Sequence, residues 1–154
     1  MEYKLATSSW GKEEINAINN VIKSDMYSMG PFVRKYEEEF ASYFNSNHAV
    51  MCSSGSTANL LMIAALFYTK NPKLKRGDEV IVPAVSWSTT YFPLQQYGLH
   101  IKFVDVDINT LNFNLNSLKN AISDKTKLIF AVNLLGNSND FGQINNIIKE
   151  KDVI

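Results

Sequence analysis

Three short runs of almost uninterrupted apolar residues, separated by stretches with helical periodicity, most strongly constrain how this chain folds. The apolar runs are residues 79–83, 101–104 and 127–132, and the helical stretches are residues 89–97, 117–122 and 141–149. Strands that are apolar on both faces and alternate with helices are typical of a parallel sheet with helices on each side. The sequence therefore predicts an α/β fold with three layers, in which a mainly parallel sheet lies between two layers of helices.

Two further helices are predicted ahead of these runs. Residues 12–23 carry isoleucine and valine at helical spacing, which indicates an amphipathic helix. After a turn at residues 28–31, the aromatic side chains of residues 32–44 repeat with the same spacing. We expect this second helix to bury its aromatic stripe and to expose the glutamates at 37–39 as a solvated face.

Residues 53–57 combine glycine with hydroxyl side chains. They lie between a predicted strand and a predicted helix, at residues 48–52 and 60–68. The first N–H groups of a helix lack intrahelical partners and lie at the positive end of its dipole, so this junction is suited to a phosphate. Gly55 would let the backbone approach the ligand, and Ser54, Ser56 and Thr57 would add hydroxyl donors. The alternative is that Ser54 or Ser56 only caps the helix, because neither a P-loop lysine nor a G-x-G-x-x-G pattern is present.

The junction is one of the segments that follow predicted strands, where ligands bind in open parallel sheets. These segments are residues 53–57, 83–90 and 133–137. Trp87, in the second of them, can stack on a flat heteroaromatic ring, and the alternative is a tryptophan in the core or in an interface. Phosphate donors beside a ring platform suggest a phosphorylated aromatic cofactor.

Composition excludes several other classes of function. Lys plus Arg and Asp plus Glu number 15 each, so neither nucleic acid nor an acidic membrane surface is an expected partner. Cys52 is the one cysteine, which rules out an intramolecular disulfide and favours a reducing compartment. The N-terminal residues lack the apolar core of a signal peptide, and no run approaches the length of a membrane span. We therefore expect a cytoplasmic protein, and we predict no metal site.

Several stretches in the same order and spacing resemble the start of the DegT-like sugar-nucleotide aminotransferases, a branch of the fold type I pyridoxal-phosphate enzymes. The matching stretches are residues 30–33, 36–41, 54–60, 77–83, 103–107, 125–127 and 135–137. They extend over more than three quarters of the chain. The sequences of residues 54–59 and 135–137 resemble the sugar 3-dehydrase subgroup more closely than a typical aminotransferase.

The resemblance implies a cofactor, pyridoxal 5'-phosphate (PLP) or its pyridoxamine form (PMP), and residues that hold it. Ser56 and Thr57 would bind the phosphate at the helix N-terminus, with Gly55 making the turn. Trp87 would stack on the pyridine ring. Asn133 takes the place, next to the cofactor edge, where many members of the family have histidine.

The resemblance also implies how much of the family's large domain is present. Residues 1–30 would form an N-terminal arm and the first helix, and residues 31–154 an incomplete PLP-binding large domain. Residues 152–154 resemble the start of another buried strand, so we expect a truncated chain or a domain completed elsewhere. The acid that pairs with the pyridine nitrogen, and the lysine of the Schiff base or its histidine replacement, would follow Ile154. No catalytic residue is therefore assigned, and we expect the fragment alone to be inactive.

The function implied is a PLP-dependent aminotransferase that acts on a nucleotide-linked 4-keto-6-deoxy sugar, with an amino-acid donor such as glutamate. The resemblance further implies a homodimer, to which the aromatic helix at 32–44 would contribute. One alternative is a PMP-dependent 3-dehydrase that removes the hydroxyl at C3, with dependence on an electron donor. The other is a non-catalytic module that binds a phosphate or mediates dimerisation.

Overall fold

A computed structural model describes residue 4 and residues 6–154 of the chain. The chain forms two compact units, Met1–Met51 and Cys52–Ile154, which are described separately. The first residues of the predicted N-terminal arm, 1–3 and 5, lie outside the described residues.

The first unit contains the two predicted helices. Helix α1 spans Lys12–Ser24 and helix α2 spans Pro31–Tyr43, so both are confirmed. Glu14 accepts a 2.7 Å hydrogen bond from the backbone N–H of Gly11 and so caps the start of α1. Helix α2 begins with a proline, whose missing N–H costs nothing at that position.

The aromatic stripe of α2 is exposed, and the prediction that the helix buries it is wrong for this chain. Ala41 is the one residue of α2 that is buried, whereas Tyr43 is 83% exposed. The rings contact one another instead, with centroids 5.6 Å apart for Tyr36 and Phe40 and 4.6 Å apart for Phe40 and Phe44. A pattern of apolar residues shows which face of a helix can be buried. Burial also needs a second surface to pack against, and a unit this small offers little such surface.

Residues 48–52, predicted as a strand, do not form one. The side chain of Val50 is 74% exposed, and the backbone N–H of Met51 donates to Oε1 of Glu37 at 2.8 Å rather than to another strand. A β-strand is stabilised by its neighbours in a ladder, so apolar and β-branched residues alone do not produce one.

The second unit is built on a parallel sheet in which β1 lies between β2 and β3. Its elements in chain order are α3 (Gly55–Tyr68), β1 (Glu79–Pro83), α4 (Ser88–Gln96), β2 (His100–Val104), α5 (Leu115–Ala121), β3 (Thr126–Ile129), a 3₁₀ turn (Leu134–Gly136) and α6 (Phe141–Ile148). The bounds of β1 agree with the prediction, whereas β3 ends three residues before the predicted run at 127–132 does.

Two apolar cores lie on opposite faces of the sheet because successive side chains of a strand point to opposite sides. On one face, Val80 and Val82 of β1 pack with residues of α3 and α4, among them Ile63 and Leu94. On the other face, Ile81 packs with residues of α5 and α6; the buried members of this second core are Ile81, Val104, Phe113, Leu118 and Ile144. The predicted three-layer α/β arrangement is therefore confirmed for this unit.

Strand β3 contains one residue more than β1 at the start of their ladder. Glu79 pairs with Thr126, but Val80 pairs with Leu128, so Lys127 has no opposite residue. Such a bulge shifts the alternation of side chains by one position. Leu128 consequently joins the same core as Val80, and Lys127 stays outside it.

The last residue of the chain pairs with the free side of β3. Ile154 donates its N–H to the carbonyl of Lys127 at 3.0 Å and accepts from the N–H of Ile129 at 2.9 Å. This is the hydrogen-bond pattern of a parallel pair. No strand is assigned to residues 152–154, so the strand expected there stays a prediction.

Candidate functional site

The carboxyl ends of β1 and β3 form a crevice at which the connections diverge. The chain leaves β1 toward α4, which packs on one face of the sheet, and leaves β3 toward α6, which packs on the other. In parallel α/β sheets, ligands bind where neighbouring strands diverge in this way. Trp87 follows β1 and Asn133 follows β3, so the topology brings both to the same crevice.

The N-terminus of α3 is closed by a pair of reciprocal hydrogen bonds. Ser54 is the N-cap, and its hydroxyl oxygen accepts from the N–H of Thr57 at 3.3 Å. In return, Oγ1 of Thr57 accepts from the N–H of Ser54 at 3.0 Å. The capping alternative therefore applies to Ser54, and Thr57, predicted as a phosphate ligand, serves the cap in this structure.

Gly55 and Ser56 are the parts of the junction that remain open to a ligand. Both are exposed, and a Cβ added at Gly55 would meet nothing within 4 Å. The hydroxyl of Ser56 makes no hydrogen bond within residues 6–154. A phosphate fits here because unpaired backbone N–H groups, a free hydroxyl and the positive helix dipole coincide.

Trp87 is the N-cap residue of α4, and its indole is 74% exposed. It is therefore not a core residue of this chain. The turn that carries Trp87 is stabilised by a 2.9 Å hydrogen bond between the hydroxyls of Ser86 and Thr90. An exposed indole on a fixed turn is suited to stacking on a planar ring.

Asn59 and Thr89 connect the two helix N-termini. The side-chain amide of Asn59 on α3 donates to the backbone carbonyl of Thr89 on α4 at 3.2 Å. That carbonyl would normally accept from residue 93, but residue 93 is a proline and has no N–H. No sequence pattern predicts a role for Asn59, although Pro93 inside a helical pattern indicates that one carbonyl of α4 needs an outside donor.

Asn133 is held by its own loop. Its side-chain oxygen accepts from the backbone N–H and from Nδ2 of Asn139, both at 3.0 Å. The next residues turn sharply, since Leu135 and Gly136 have φ values of 53° and 83°. The structure thus places Asn133 at the crevice but with its oxygen already paired, while its Nδ2 is the group left for a ligand.

Tyr91 supports the base of the crevice. Its hydroxyl donates to the carbonyl of Pro83, the last residue of β1, at 2.7 Å. Its ring contacts that of Phe103 edge to face at 5.2 Å. Burial raises the pKa of Tyr91 above the ordinary value, and the hydrogen bond with Ser86 offsets this only in part. The phenol therefore stays protonated and acts as a structural donor.

A separate cavity of about 610 Å³ lies between the loops that precede α5 and α6. It contains none of the predicted cofactor residues, and Asp107 and Asp140 line it together with amide side chains and no lysine or arginine. This chemistry does not suit a phosphate. The described residues also include no group of three or more His, Cys, Asp or Glu side chains that would hold a metal ion. No helix among them has the length and apolar character needed to cross a bilayer.

Comparisons with known proteins identify relatives along almost the whole chain. A family model described as the DegT/DnrJ/EryC1/StrS aminotransferase family matches residues 8–154. GDP-4-keto-6-deoxy-D-mannose 3-dehydratase of Yersinia pseudotuberculosis is 63% identical over 153 residues, which cover 99% of this chain and 39% of the relative.

Solved structures of the same kind of enzyme superimpose closely. The E. coli GDP-4-keto-6-deoxy-D-mannose-3-dehydratase with bound hydrated PLP gives a TM-score of 0.95 at 63% identity, covering 99% of this chain and 39% of that one. A GDP-4-keto-6-deoxymannose-3-dehydratase with a trapped PLP-glutamate geminal diamine gives 0.96 at 63% identity, with coverage of 99% and 40%. The chain thus spans about two fifths of the length of these relatives.

Proposed function

Because the chain belongs to the DegT/DnrJ/EryC1/StrS aminotransferase family, we propose that it forms the N-terminal part of a PLP- or PMP-dependent nucleotide-sugar 3-dehydratase. The proposed substrate is GDP-4-keto-6-deoxymannose, and the proposed amino donor is glutamate. The 63% identity to proteins with this named activity favours the dehydratase over the aminotransferase that the sequence alone suggested first.

The observation that carries the proposal is the pairing of two helix N-termini with exposed residues at the crevice. Gly55 and Ser56 offer the phosphate site, and Trp87 offers the ring platform. The bond between Asn59 and Thr89 holds the two together. A phosphorylated planar cofactor has the two features that such a site recognises, an anionic group and a flat ring.

The residues of this chain would bind and orient the cofactor. Ser56 would donate its hydroxyl to the phosphate, beside the N–H groups of the first turn, and Trp87 would cover one face of the ring. The Nδ2 group of Asn133 would donate to the ring edge. When bound, the cofactor supplies an electron sink for carbanion chemistry on the sugar.

The aminotransferase is the second candidate, because the family as a whole carries that description. A transaminase keeps the donor nitrogen in its sugar product. In the proposed 3-dehydratase reaction, glutamate would supply two electrons and become 2-oxoglutarate, the C3 hydroxyl would leave as water and the nitrogen as ammonia, so the 3-deoxy product retains neither. The non-catalytic module is the third, because the chain spans about two fifths of its relatives.

One experiment separates the three. The complete gene product is incubated with PLP, nitrogen-labelled glutamate and GDP-4-keto-6-deoxymannose, and the sugar is analysed by mass spectrometry and NMR. We expect an unlabelled 3-deoxy product. A labelled amino sugar would overturn the dehydratase in favour of the aminotransferase, and the absence of both PLP binding and turnover would favour the module.

We also propose that the protein forms a homodimer. The exposed aromatic stripe of α2, from Tyr36 to Phe44, supports it because contiguous apolar surface of this kind often lies in an interface. Sedimentation analysis of the complete gene product tests it, and a monomer at micromolar concentration would contradict it.

A further inference from the structure

We propose that Asn59 is a positioning residue for the cofactor, because its amide fixes the helix that carries Trp87 to the helix that carries the phosphate site. The inference rests on the proposed function, since it assumes that a phosphate and a ring are bound at these two places. Asn59 itself would touch neither of them.

The bond forms where α4 lacks an internal donor. Pro93 lies inside α4 and has no N–H, so the carbonyl of Thr89 has no partner one turn ahead. Nδ2 of Asn59 donates to that carbonyl at 3.2 Å in a partly buried position. A buried carbonyl without a partner is unfavourable, so Asn59 is the group that lets α4 carry a proline at this point.

Both ends of the bond lie close to the candidate ligand residues. Asn59 is four residues after Gly55, about one helical turn or roughly 6 Å along α3. Thr89 is two residues after Trp87, in the first turn of α4. The bond therefore spans the two helices at the level of the cofactor site.

Apolar packing between the helices cannot set this alignment alone. Ile63 of α3 and Leu94 of α4 belong to the same core, but apolar contacts are non-directional and tolerate sliding of one helix along the other. A hydrogen bond joins one atom to another, so it fixes the axial position as well. A cofactor with a rigid distance between phosphate and ring requires such alignment, and a displacement of about 1 Å is enough to weaken a site of this kind.

The test uses the complete gene product with four variants. Asn59→Leu removes the donor while keeping the volume of the side chain. Pro93→Ala restores an N–H to α4, so the carbonyl of Thr89 regains an internal donor. The double variant combines the two, and Gln95→Ala removes an exposed amide of α4 as the matched control. For each, PLP affinity is measured by absorbance titration, bound-cofactor orientation by near-UV circular dichroism, and stability by urea unfolding.

We expect Asn59→Leu to weaken PLP binding about tenfold and to reduce the circular dichroism of the bound cofactor. Gln95→Ala should match the wild type. In the Pro93→Ala background the same Asn59→Leu change should still weaken PLP binding about tenfold, since an N–H at residue 93 satisfies the carbonyl of Thr89 but does not tie α4 to α3. The stability lost in Asn59→Leu should be recovered there, because the carbonyl is no longer unpaired. A loss of affinity that came only from lower stability would be rescued together with the stability.

Two results overturn the inference. One is wild-type PLP affinity and circular dichroism in Asn59→Leu. The other is a loss of affinity in Asn59→Leu that Pro93→Ala restores, since it would then come from the unpaired carbonyl and not from the alignment of the helices. If Asn59→Leu does not fold, Asn59→Ala replaces it in the same comparison. A wild-type protein that binds no PLP overturns the proposed function and the inference together, whereas binding that is insensitive to Asn59 overturns the inference alone.

Discussion

The hydroxyl of Thr126 donates a 2.6 Å hydrogen bond to Oε1 of Glu79, across the amino ends of β3 and β1. The hydroxyl of Ser123 donates to the same oxygen at 3.0 Å, and Nζ of Lys102 on β2 lies 3.7 Å from Oε2. One carboxylate thus links all three strands of the described sheet, at the end opposite to the candidate site.

Replacing this carboxylate should make stability less dependent on pH. Burial raises the pKa of Glu79, but the hydroxyls of Thr126 and Ser123 and the charge of Lys102 together outweigh it and lower the pKa. A lowered pKa stabilises the fold above the unfolded-state pKa, and this stability is lost as the pH falls through the folded-state pKa. We expect Glu79→Gln to cost about 1 kcal/mol at neutral pH.

Urea unfolding at neutral and at acid pH checks this prediction. The difference between wild type and Glu79→Gln should disappear at acid pH, where the wild-type side chain is protonated as well. Glu38→Gln, on the exposed face of α2, is the control and should change stability little at either pH. A stability difference between wild type and Glu79→Gln that grows on acidification would contradict a lowered pKa of Glu79.

Replacement by alanine should lower stability at Ser54 but should weaken PLP binding at Ser56. Ser54 caps α3, so Ser54→Ala should lower the free energy of unfolding by about 1 kcal/mol. Ser56 makes no such bond, so Ser56→Ala should leave stability within about 0.5 kcal/mol and weaken PLP binding instead. Unfolding and PLP titration of both variants check this, and equal stability losses would show that Ser56 is structural.

Trp87→Ala should affect binding without affecting the fold. An indole that is 74% exposed contributes little packing, so stability should change by less than about 0.5 kcal/mol. Loss of ring stacking should weaken PLP affinity by about fivefold, equivalent to about 1 kcal/mol. Trp10→Ala, at a tryptophan that is 64% exposed, is the control and should bind PLP normally. Unchanged affinity in Trp87→Ala would remove Trp87 from the site.

Tyr43→Ser tests the aromatic stripe of α2 as an interface. Because Tyr43 is 83% exposed in the chain, its removal should not unfold α2. If the stripe lies between two copies, the dimer should dissociate at roughly tenfold higher protein concentration than the wild type, as measured by sedimentation. Lys35→Ser on the same helix should leave the dimer intact, and identical behaviour of the two variants would contradict an interface at Tyr43.

The sequence predicts well those elements whose signals are local. The β-rich run at 79–83 gives the observed bounds of β1, and the aromatic spacing at 32–44 places α2 to within one residue at each end. The family resemblance, carried by several short motifs, is confirmed by the match over residues 8–154.

Predictions that depend on a partner surface fail. The run at 48–52 has strand composition but no ladder, and the stripe of α2 has core composition but is not covered. The contact of Asn59 with Thr89 joins residues 30 positions apart, so Pro93 indicates that α4 needs a donor but no local pattern identifies Asn59 as that donor. The roles of Gly55, Ser56, Thr57, Trp87 and Asn133 in cofactor binding stay predictions, and the structure adds that Thr57 and Asn133 are already hydrogen-bonded within the chain.

Because of the bulge in β3, the effect of deleting one residue from this strand should depend on which residue is removed. Lys127 occupies the extra position opposite the step from Glu79 to Val80. Deleting Lys127 would leave Leu128 and Ile129 opposite Val80 and Ile81, each still facing its own core. Deleting Leu128 instead would move the lysine opposite Val80, where its charge would enter the apolar layer beneath α3 and α4. Two single-residue deletions at adjacent positions should therefore differ sharply in whether the chain still folds.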